Sequence, residues 1–134
     1  MYASIPQSTL IARHNKLDPL FEGPIIGVCF DWRTSESGER SYMPFIYNKI
    51  RDAVEKGGGR LYILTFSDRY EDVKDRIHGL LIPGGRDLDP ENYGQENAGS
   101  RFNKEDAKLR FDHMSDFLQN GDPGMPIMGV CLGL

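Results

Sequence analysis

The sequence has few of the features that mark membrane-spanning, secreted or nucleic-acid-binding proteins. Its longest apolar runs, such as residues 24–30, are much shorter than the roughly 20 residues of a transmembrane helix. The N-terminal stretch lacks the uninterrupted apolar segment of a secretory signal. Lys and Arg total 16 against 20 Asp and Glu, and a net charge of −4 disfavours a phosphate-binding surface. We therefore expect a cytoplasmic protein that binds neither nucleic acid nor membrane.

Cysteine and histidine are also scarce. The two cysteines, Cys29 and Cys131, lie far apart and each closes an apolar run. Without an export signal we expect two free thiols, although a single disulfide is conceivable. Asp87 and Asp89 are loop carboxylates without nearby histidines, which makes a weak metal site. We therefore predict no metal and no other cofactor.

Hydrophobic residues make up 39% of the 134 residues, which is enough for one domain with a buried core. Four short apolar segments alternate with helical patterns, and they have the composition of strands buried on both faces. The predicted strands are residues 23–30, 61–64, 79–82 and 126–130, and the predicted helices are 44–56, a short one near 70–77, and one from about Asn103 to Asn120. This alternation predicts an α/β fold: an open parallel sheet with helices on both faces.

Two segments do not fit the alternation. Residues 1–22 have weak periodicity, and we interpret them as an N-terminal extension or a loosely docked arm before a domain that begins at residue 23. Residues 31–41 have the composition of a polar loop. We also predict a capping box of Asp68 and Glu71 for the short helix.

Open parallel sheets place their sites at the carboxyl ends of the strands. Residues 129–133, Gly-Val-Cys-Leu-Gly, end the fourth strand and have the form of a nucleophile elbow with cysteine as the nucleophile. A following helix would favour the thiolate of Cys131. A buried strand that ends in Cys-x-Gly is also an ordinary core feature, so this pattern alone leaves both interpretations open.

The third strand ends in Pro83, Gly84 and Gly85. Glycines let backbone amides approach a substrate oxygen closely, as an oxyanion hole requires. A simple turn after a strand is the alternative. Asp31 and Trp32 follow the first strand at the same predicted edge, where either could form part of a pocket wall.

Residues 79–94, GLLIPGGRDLDPENYG, resemble the signature of the gamma-glutamyl-gamma-aminobutyrate hydrolase family. These are class I glutamine amidotransferase-like enzymes, also grouped as C26 cysteine peptidases, and the matching parts are PGG, D-x-D-P and x-x-Y-G. Residues 24–28 are similar to the family's opening strand, and residues 126–134 are similar to its nucleophile strand and elbow. The resemblance implies a flavodoxin-like fold of which residues 23–134 are the N-terminal part.

The resemblance also implies roles for individual residues. Cys131 would take the gamma-glutamyl group as a thioester, and the backbone amide of Leu132, with one from Gly84 or Gly85, would hold the oxyanion. Arg86, Asp87 and Tyr93 are weaker candidates for substrate binding. A solvated loop arginine is the favoured interpretation of Arg86, Asp87 is a loop carboxylate, and packing under the loop explains Tyr93 equally well. Cys29 is interpreted as a core residue.

The family's catalytic His and Glu occur in a His-x-Glu motif downstream of the nucleophile. No such motif contains His14, His78 or His113. We expect His78 at the opposite end of the sheet, His113 exposed on a helix and His14 in the N-terminal extension. Without a base a thiol with a pKa of about 8.5 is only a small fraction thiolate at neutral pH. We therefore expect the 134 residues to be a poor catalyst or none.

The sequence ends at Leu134, three residues after the cysteine. The leading hypothesis is a truncated gamma-glutamyl amide hydrolase acting on a small substrate. The alternatives are a glutaminase module that passes ammonia to a synthetase, and a degenerate binding protein without catalysis. Apolar surface and an unpaired strand edge would remain, so we expect marginal stability or association with another chain, such as a homodimer.

Overall fold

The computed structural model describes residues 4–84 and 104–130. In chain order the elements of these ranges are β1 (Ile5–Pro6), α1 (Gln7–His14), β2 (Ile25–Val28), β3 (Arg33–Thr34), β4 (Arg40–Tyr42), α2 (Pro44–Lys56), β5 (Arg60–Ile63), α3 (Tyr70–Val73), β6 (Gly79–Ile82), α4 (Lys104–Asn120) and β7 (Ile127–Gly129). Within the same ranges, no helix has the length and apolar character that crossing a membrane requires.

The centre of the fold is a four-stranded sheet in the order β5-β2-β6-β7. All three neighbouring pairs are parallel, and β2 lies between β5 and β6. Each strand is joined to the next through a helix, as parallel connections require. The predicted α/β fold with an open parallel sheet is confirmed, and the four predicted strands all occur, three of them shorter or shifted at their ends.

Helices cover both faces of this sheet because successive strand residues point to opposite sides. On one side a core cluster joins Cys29 of the sheet layer to α3 and α4; its helical members are Tyr70, Val73, Met114 and Phe117. On the other side Val28 and Phe30 join a second cluster with α1 and α2, whose buried members include Leu10 and Tyr47. A sheet that is buried on both faces explains why its strands are apolar throughout.

Helix α2 begins and ends as the sequence predicts. Pro44 occupies the first turn, where a missing backbone N–H costs nothing. Its last turn is followed by Gly57 and Gly58, and Gly58 has a φ of 87°, a left-handed conformation that favours glycine. Helix α3 is shorter than predicted and ends at Val73.

The predicted capping box of α3 is wrong in its residues. The Asp72 carboxylate accepts a hydrogen bond from the Arg69 backbone N–H at 3.3 Å. Asp68 instead accepts from the Thr65 backbone N–H at 2.8 Å, and Glu71 pairs with Lys74 at 2.9 Å on the surface. The sequence offers acidic residues at several neighbouring positions, and the start of the helix at Tyr70 selects Asp72.

Residues 31–41 contain more structure than the predicted polar loop. Strands β3 and β4 form an antiparallel hairpin, and β1 pairs with the other side of β4 to complete a three-stranded sheet. Gly38 has a φ of 87° in the hairpin loop, a left-handed conformation that favours glycine. The strands are only two or three residues long, too short for a periodic pattern to be visible in the sequence.

The N-terminal segment is a docked element. In α1, Leu10 has no exposed surface, and the helix packs beside β5. The side chain of Asn15, which follows α1, forms hydrogen bonds to both backbone groups of Ile63 at 2.8 and 2.9 Å. The interpretation of residues 1–22 as a loosely docked arm is therefore corrected for residues 5–15. Because only Leu10 is fully buried, the helical pattern in the sequence is weak.

An apolar groove lies between α2 and the last two strands. Its cavity volume is about 550 Å³, and its lining includes Ile50, Val54, Leu81 and Met128. The Met128 side chain is 64% exposed. Apolar surface therefore remains open beside β7 within the described residues.

Candidate active site

The two glycine-containing segments predicted to form the site follow neighbouring strands. Strands β6 and β7 are parallel and paired in register, with Ile82 opposite Gly129. The backbone N–H of Val130 donates a hydrogen bond of 3.0 Å to the carbonyl oxygen of Ile82, which continues the pairing beyond β7. Pro83 and Gly84 therefore leave the sheet beside Val130, the residue that precedes Cys131 in the sequence.

Most of the predicted site residues lie outside the described ranges. These are Gly85, Arg86, Asp87, Tyr93, Cys131 and Leu132. Gly84 is described, and it is partly buried at the end of β6. The roles of all seven residues remain predictions. The described part of the site is thus the backbone that leads into it from β6 and β7.

The residues that follow β2 at the same edge are buried. Trp32 has no exposed surface, and its indole N–H donates to the carbonyl oxygen of Leu64 at 2.9 Å. Its ring packs edge-on against Phe30, with 5.6 Å between centroids. Asp31 is only 4% exposed. Trp32 therefore packs inside the core below this edge, and a contribution of Asp31 or Trp32 to a pocket wall remains a prediction.

Cys29 is a core residue, as the sequence predicts. It is 1% exposed, and its backbone N–H continues the pairing of β2 with β6 by donating to Leu81 at 3.0 Å. Burial raises the pKa of the Cys29 thiol to about 12, an effect that the nearby Arg110 cation partly offsets. This thiol is therefore protonated at neutral pH and unsuited to act as a nucleophile.

Two histidines lie away from the carboxyl edge. His78 precedes β6, and its Nδ1 accepts a hydrogen bond of 3.0 Å from the Ile25 N–H at the start of β2, which confirms its predicted position at the opposite end of the sheet. His14 hydrogen-bonds through Nε2 to the hydroxyl of Tyr47. Burial, and then the neighbouring Arg13 cation, lower the pKa of His14 from its ordinary value.

His113 differs from its prediction. We expected it to be exposed on a helix, but it is 1% exposed in the core, and its ring packs against Phe117 with 4.9 Å between centroids. Burial, followed by the repulsion of Arg69, lowers the pKa of His113 to about 4. Among the described residues, its Nε2 atom has no hydrogen-bond partner. His113 is therefore a neutral core side chain at pH 7.

Arg110 is a residue of this region that the sequence interpretation missed. Its side chain is 1% exposed, and one terminal nitrogen donates a hydrogen bond of 2.8 Å to the carbonyl oxygen of Pro83. The signal was present in the spacing, since Arg110 falls on the buried stripe of α4. That stripe consists of Asp106, Ala107, Arg110, His113, Met114 and Phe117. Charged side chains are rarely fully buried, so the polarity of arginine alone predicts a solvent-exposed side chain.

The described residues offer no metal site at this edge. Within residues 4–84 and 104–130, no three His, Cys, Asp or Glu side chains converge as a metal site requires. Asp106, a buried carboxylate on α4, binds protein groups: it accepts from the backbone N–H of Thr34 at 3.2 Å and from its hydroxyl at 2.7 Å. The sequence predicts that the chemistry of this edge comes from backbone amides and a cysteine thiol, and this remains a prediction.

Comparison with known proteins agrees with this chemistry. Residues 24–134 match the protein family described as Peptidase C26. A Mycobacterium tuberculosis protein that bears the provisional name of glutamine amidotransferase is 38% identical over 63 residues, which are 46% of this chain and 20% of that protein. The chain thus spans about a fifth of the length of this relative.

Proposed function

This chain belongs to the peptidase C26 family, and we propose that it supplies the nucleophile and the oxyanion-binding backbone of a gamma-glutamyl amide hydrolase. The observation that carries this proposal is the pairing of β6 with β7 up to the hydrogen bond between Val130 and Ile82. This pairing brings the chain segments before the Pro-Gly-Gly loop and before Cys131 to one edge of the sheet. An acyl-transfer site needs a nucleophile and fixed amide donors at such a common edge.

The proposed reaction has two steps. The Cys131 thiolate attacks the carbonyl carbon of the gamma-amide, the C–N bond breaks, and the amine leaves with a proton while a thioester forms. Water then hydrolyses the thioester, which releases glutamate and restores the thiol. In both steps the tetrahedral oxyanion would accept hydrogen bonds from the backbone amides of Gly84 or Gly85 and of Leu132.

The proton of Cys131 needs a base, and the three histidines of the chain are poorly suited to this role. His78 lies at the amino end of the sheet, His113 is buried and neutral, and His14 is hydrogen-bonded to Tyr47. The family resemblance assigns the base to a His-x-Glu motif, and these 134 residues contain none. We therefore propose that the thiol can be acylated by an activated donor but turns over unactivated amides slowly or not at all.

A second candidate function is a glutaminase that delivers ammonia. The name of the Mycobacterium tuberculosis relative favours it, since an amidotransferase takes its nitrogen from glutamine. Both functions use the same thioester and differ in the amine that leaves. Comparing glutamine with a gamma-glutamyl derivative of a larger amine separates them: a strong preference for glutamine supports the glutaminase.

Trapping the thioester tests the proposal directly. The chain is incubated with an activated gamma-glutamyl ester, digested at acidic pH and analysed by mass spectrometry. We expect one glutamyl group on the peptide that contains Cys131, its release by hydroxylamine, and its absence in Cys131→Ala. Cys29→Ala is the matched control and should acylate like the wild type. Acylation that is spread over other residues, or that persists in Cys131→Ala, would contradict the proposal.

A further inference from the structure

The hydrogen bond between Arg110 and Pro83 acts on the peptide unit that contains the Gly84 amide. The Pro83 carbonyl oxygen and the Gly84 N–H belong to one planar group, and in a trans peptide they point in opposite directions. Arg110 extends from α4, and its terminal nitrogen donates a hydrogen bond of 2.8 Å to the Pro83 carbonyl oxygen. The Gly84 N–H is therefore directed away from α4 and out of the buried layer.

This contact is unusual because it places a cation in the core. Burying a guanidinium group costs several kcal/mol unless it is well hydrogen-bonded. Within residues 4–84 and 104–130, the buried Nε atom of Arg110 has no hydrogen-bond partner. Its charge partly opposes the rise that burial causes in the pKa values of Cys29 and Tyr42, and it adds to the fall that burial causes in the pKa of His113. An apolar side chain would fill this position at lower cost, so stability alone does not account for the arginine.

We propose that Arg110 is a positioning residue that orients the Pro83–Gly84 peptide as an oxyanion donor. The inference rests on the proposed function and extends it to a residue outside the elbow and the glycine loop. Arg110 acts through the peptide plane and does not touch the substrate. Its charge, held behind the carbonyl, also polarises the peptide and makes the Gly84 N–H a stronger donor.

The alternative is that Arg110 merely ties α4 to β6. A tether would affect stability and the reactivity of Cys131 towards all reagents alike. A positioning residue affects only reactions whose transition state develops an oxyanion. Two measurements on the 134-residue chain test the proposal: the first tests the contact and the second separates the two roles. Both use Arg110→Met, which keeps part of the aliphatic stem and removes the charge and the donors.

The first measurement observes the peptide unit itself. The sequence contains two Pro-Gly bonds, Pro83–Gly84 and Pro123–Gly124. Labelling proline carbonyls with ¹³C and glycine nitrogens with ¹⁵N therefore leaves two cross-peaks in a spectrum that correlates the amide with the preceding carbonyl. We expect Arg110→Met to shift the Pro83–Gly84 peak in the carbonyl dimension and to leave the Pro123–Gly124 peak in place. Two unmoved peaks would overturn the inference.

The second measurement compares two reagents for Cys131. A chloromethyl ketone analogue of glutamine reacts through a tetrahedral oxyanion, whereas iodoacetamide reacts by direct displacement and forms none. We expect Arg110→Met to lower the ketone rate by roughly tenfold or more, the order expected for a misplaced oxyanion donor, and to change the iodoacetamide rate less than twofold. Arg110→Lys, which retains a charged donor, should recover part of the ketone rate.

Lys108→Met is the matched control on the same helix. Lys108 is 72% exposed and pairs only loosely with Asp112 at 3.7 Å, so its loss should change neither rate. Circular dichroism shows whether each variant folds. If Arg110→Met does not fold, both measurements are made on Arg110→Lys instead. We then expect a smaller shift of the Pro83–Gly84 peak and a smaller loss of the ketone rate.

The outcomes distinguish the two levels of the proposal. If the wild type shows no preference of the ketone for Cys131 over Cys29, the proposed function fails and the positioning role fails with it. If the wild type shows the preference and Arg110→Met slows both reagents equally or neither, the proposed function stands and only the positioning role is overturned.

Discussion

The side-chain amide of Asn15 pairs with the backbone of Ile63 as a neighbouring β-strand would. Its nitrogen donates to the Ile63 carbonyl at 2.9 Å, and its oxygen accepts from the Ile63 N–H at 2.8 Å. Ile63 belongs to β5, which lies at one end of the described sheet. Unpaired strand edges recruit other chains, and a short polar side chain that occupies both groups prevents this. The N-terminal segment thus protects the β5 edge of the sheet, which lies at the opposite end from β7.

We expect Asn15→Ala to destabilise the fold and expose this edge. Loss of two hydrogen bonds that leave buried backbone groups unpaired should lower the free energy of unfolding by about 1–3 kcal/mol. Urea denaturation measures this change, and sedimentation velocity should show more self-association. Asn48→Ala, at an exposed position of α2, is the control and should change neither. An Asn15→Ala chain as stable and as monomeric as Asn48→Ala would contradict the role of Asn15.

The sequence predicts the parallel sheet well because burial on both faces leaves a strong signal. Residues 79–82 are predicted and observed with the same bounds, and the glycine loop and the cysteine elbow follow adjacent strands. Strand adjacency itself could not be derived, because apolar strands of similar composition carry no information on their order. The family signature lies mostly in residues 85–94, outside the described ranges.

The features that escaped prediction depend on single contacts. Helix α1 has one fully buried residue, Leu10, and the side chain of Asn15 beyond its end bonds to the backbone of Ile63. Arg110 and His113 lie on the buried face of α4, where polarity predicts exposure and spacing predicts burial. In both cases the packing of α4 against the core buries a side chain whose polarity alone predicts exposure. Spacing was the better guide for this helix.

The contact between Asp116 and Tyr70 ties α3 to α4. The Asp116 carboxylate accepts a hydrogen bond of 2.8 Å from the Tyr70 backbone N–H at the start of α3. The carboxylate thereby satisfies an unpaired amide and interacts favourably with the positive end of the helix. We expect Asp116→Ala to lower the free energy of unfolding by about 1–2 kcal/mol.

The control for Asp116 is Asp112→Ala on the same helix. Asp112 is half exposed and forms only a loose pair with Lys108, so its loss should cost well under 1 kcal/mol. Urea denaturation compares the two variants, and hydrogen exchange should show faster exchange in α3 for Asp116→Ala alone. Equal losses in the two variants would mean that the contact with Tyr70 contributes little.

Cys29 should be inert in the folded chain and reactive when the chain unfolds. In Cys131→Ala it is the remaining thiol, and burial should slow its reaction with a disulfide reagent by roughly a hundredfold or more relative to the urea-unfolded chain. Its pKa, raised to about 12, lies above the ordinary value of 9.0. The stability linked to this thiol is therefore fully present below pH 9 and is lost as the pH rises towards 12. Comparable rates in folded and unfolded chains would refute this prediction.

His113 should make the fold sensitive to mild acid. Its folded pKa of about 4 lies below the ordinary value of 6.5, so the unfolded chain binds a proton in this range and the folded chain does not. The related stability is present above pH 6.5 and is lost as the pH falls towards 4. Between pH 7 and 5 the loss should be about 2 kcal/mol, while most carboxyl groups, with pKa values near 4, remain charged.

Replacing the imidazole with an apolar side chain should remove most of this loss. The ring packs against Phe66 and Phe117, and its Nε2 atom has no hydrogen-bond partner in the part of the chain that the structure describes, so His113→Leu should be tolerated at pH 7. Arg69 and Arg110 oppose a positive charge on His113, whereas Asp116 favours it. Urea denaturation at several pH values measures the slope of stability, and His14, whose pKa is also lowered, should keep a smaller slope in both proteins. An unchanged slope in His113→Leu would show that His113 is protonated equally in the folded and unfolded chains.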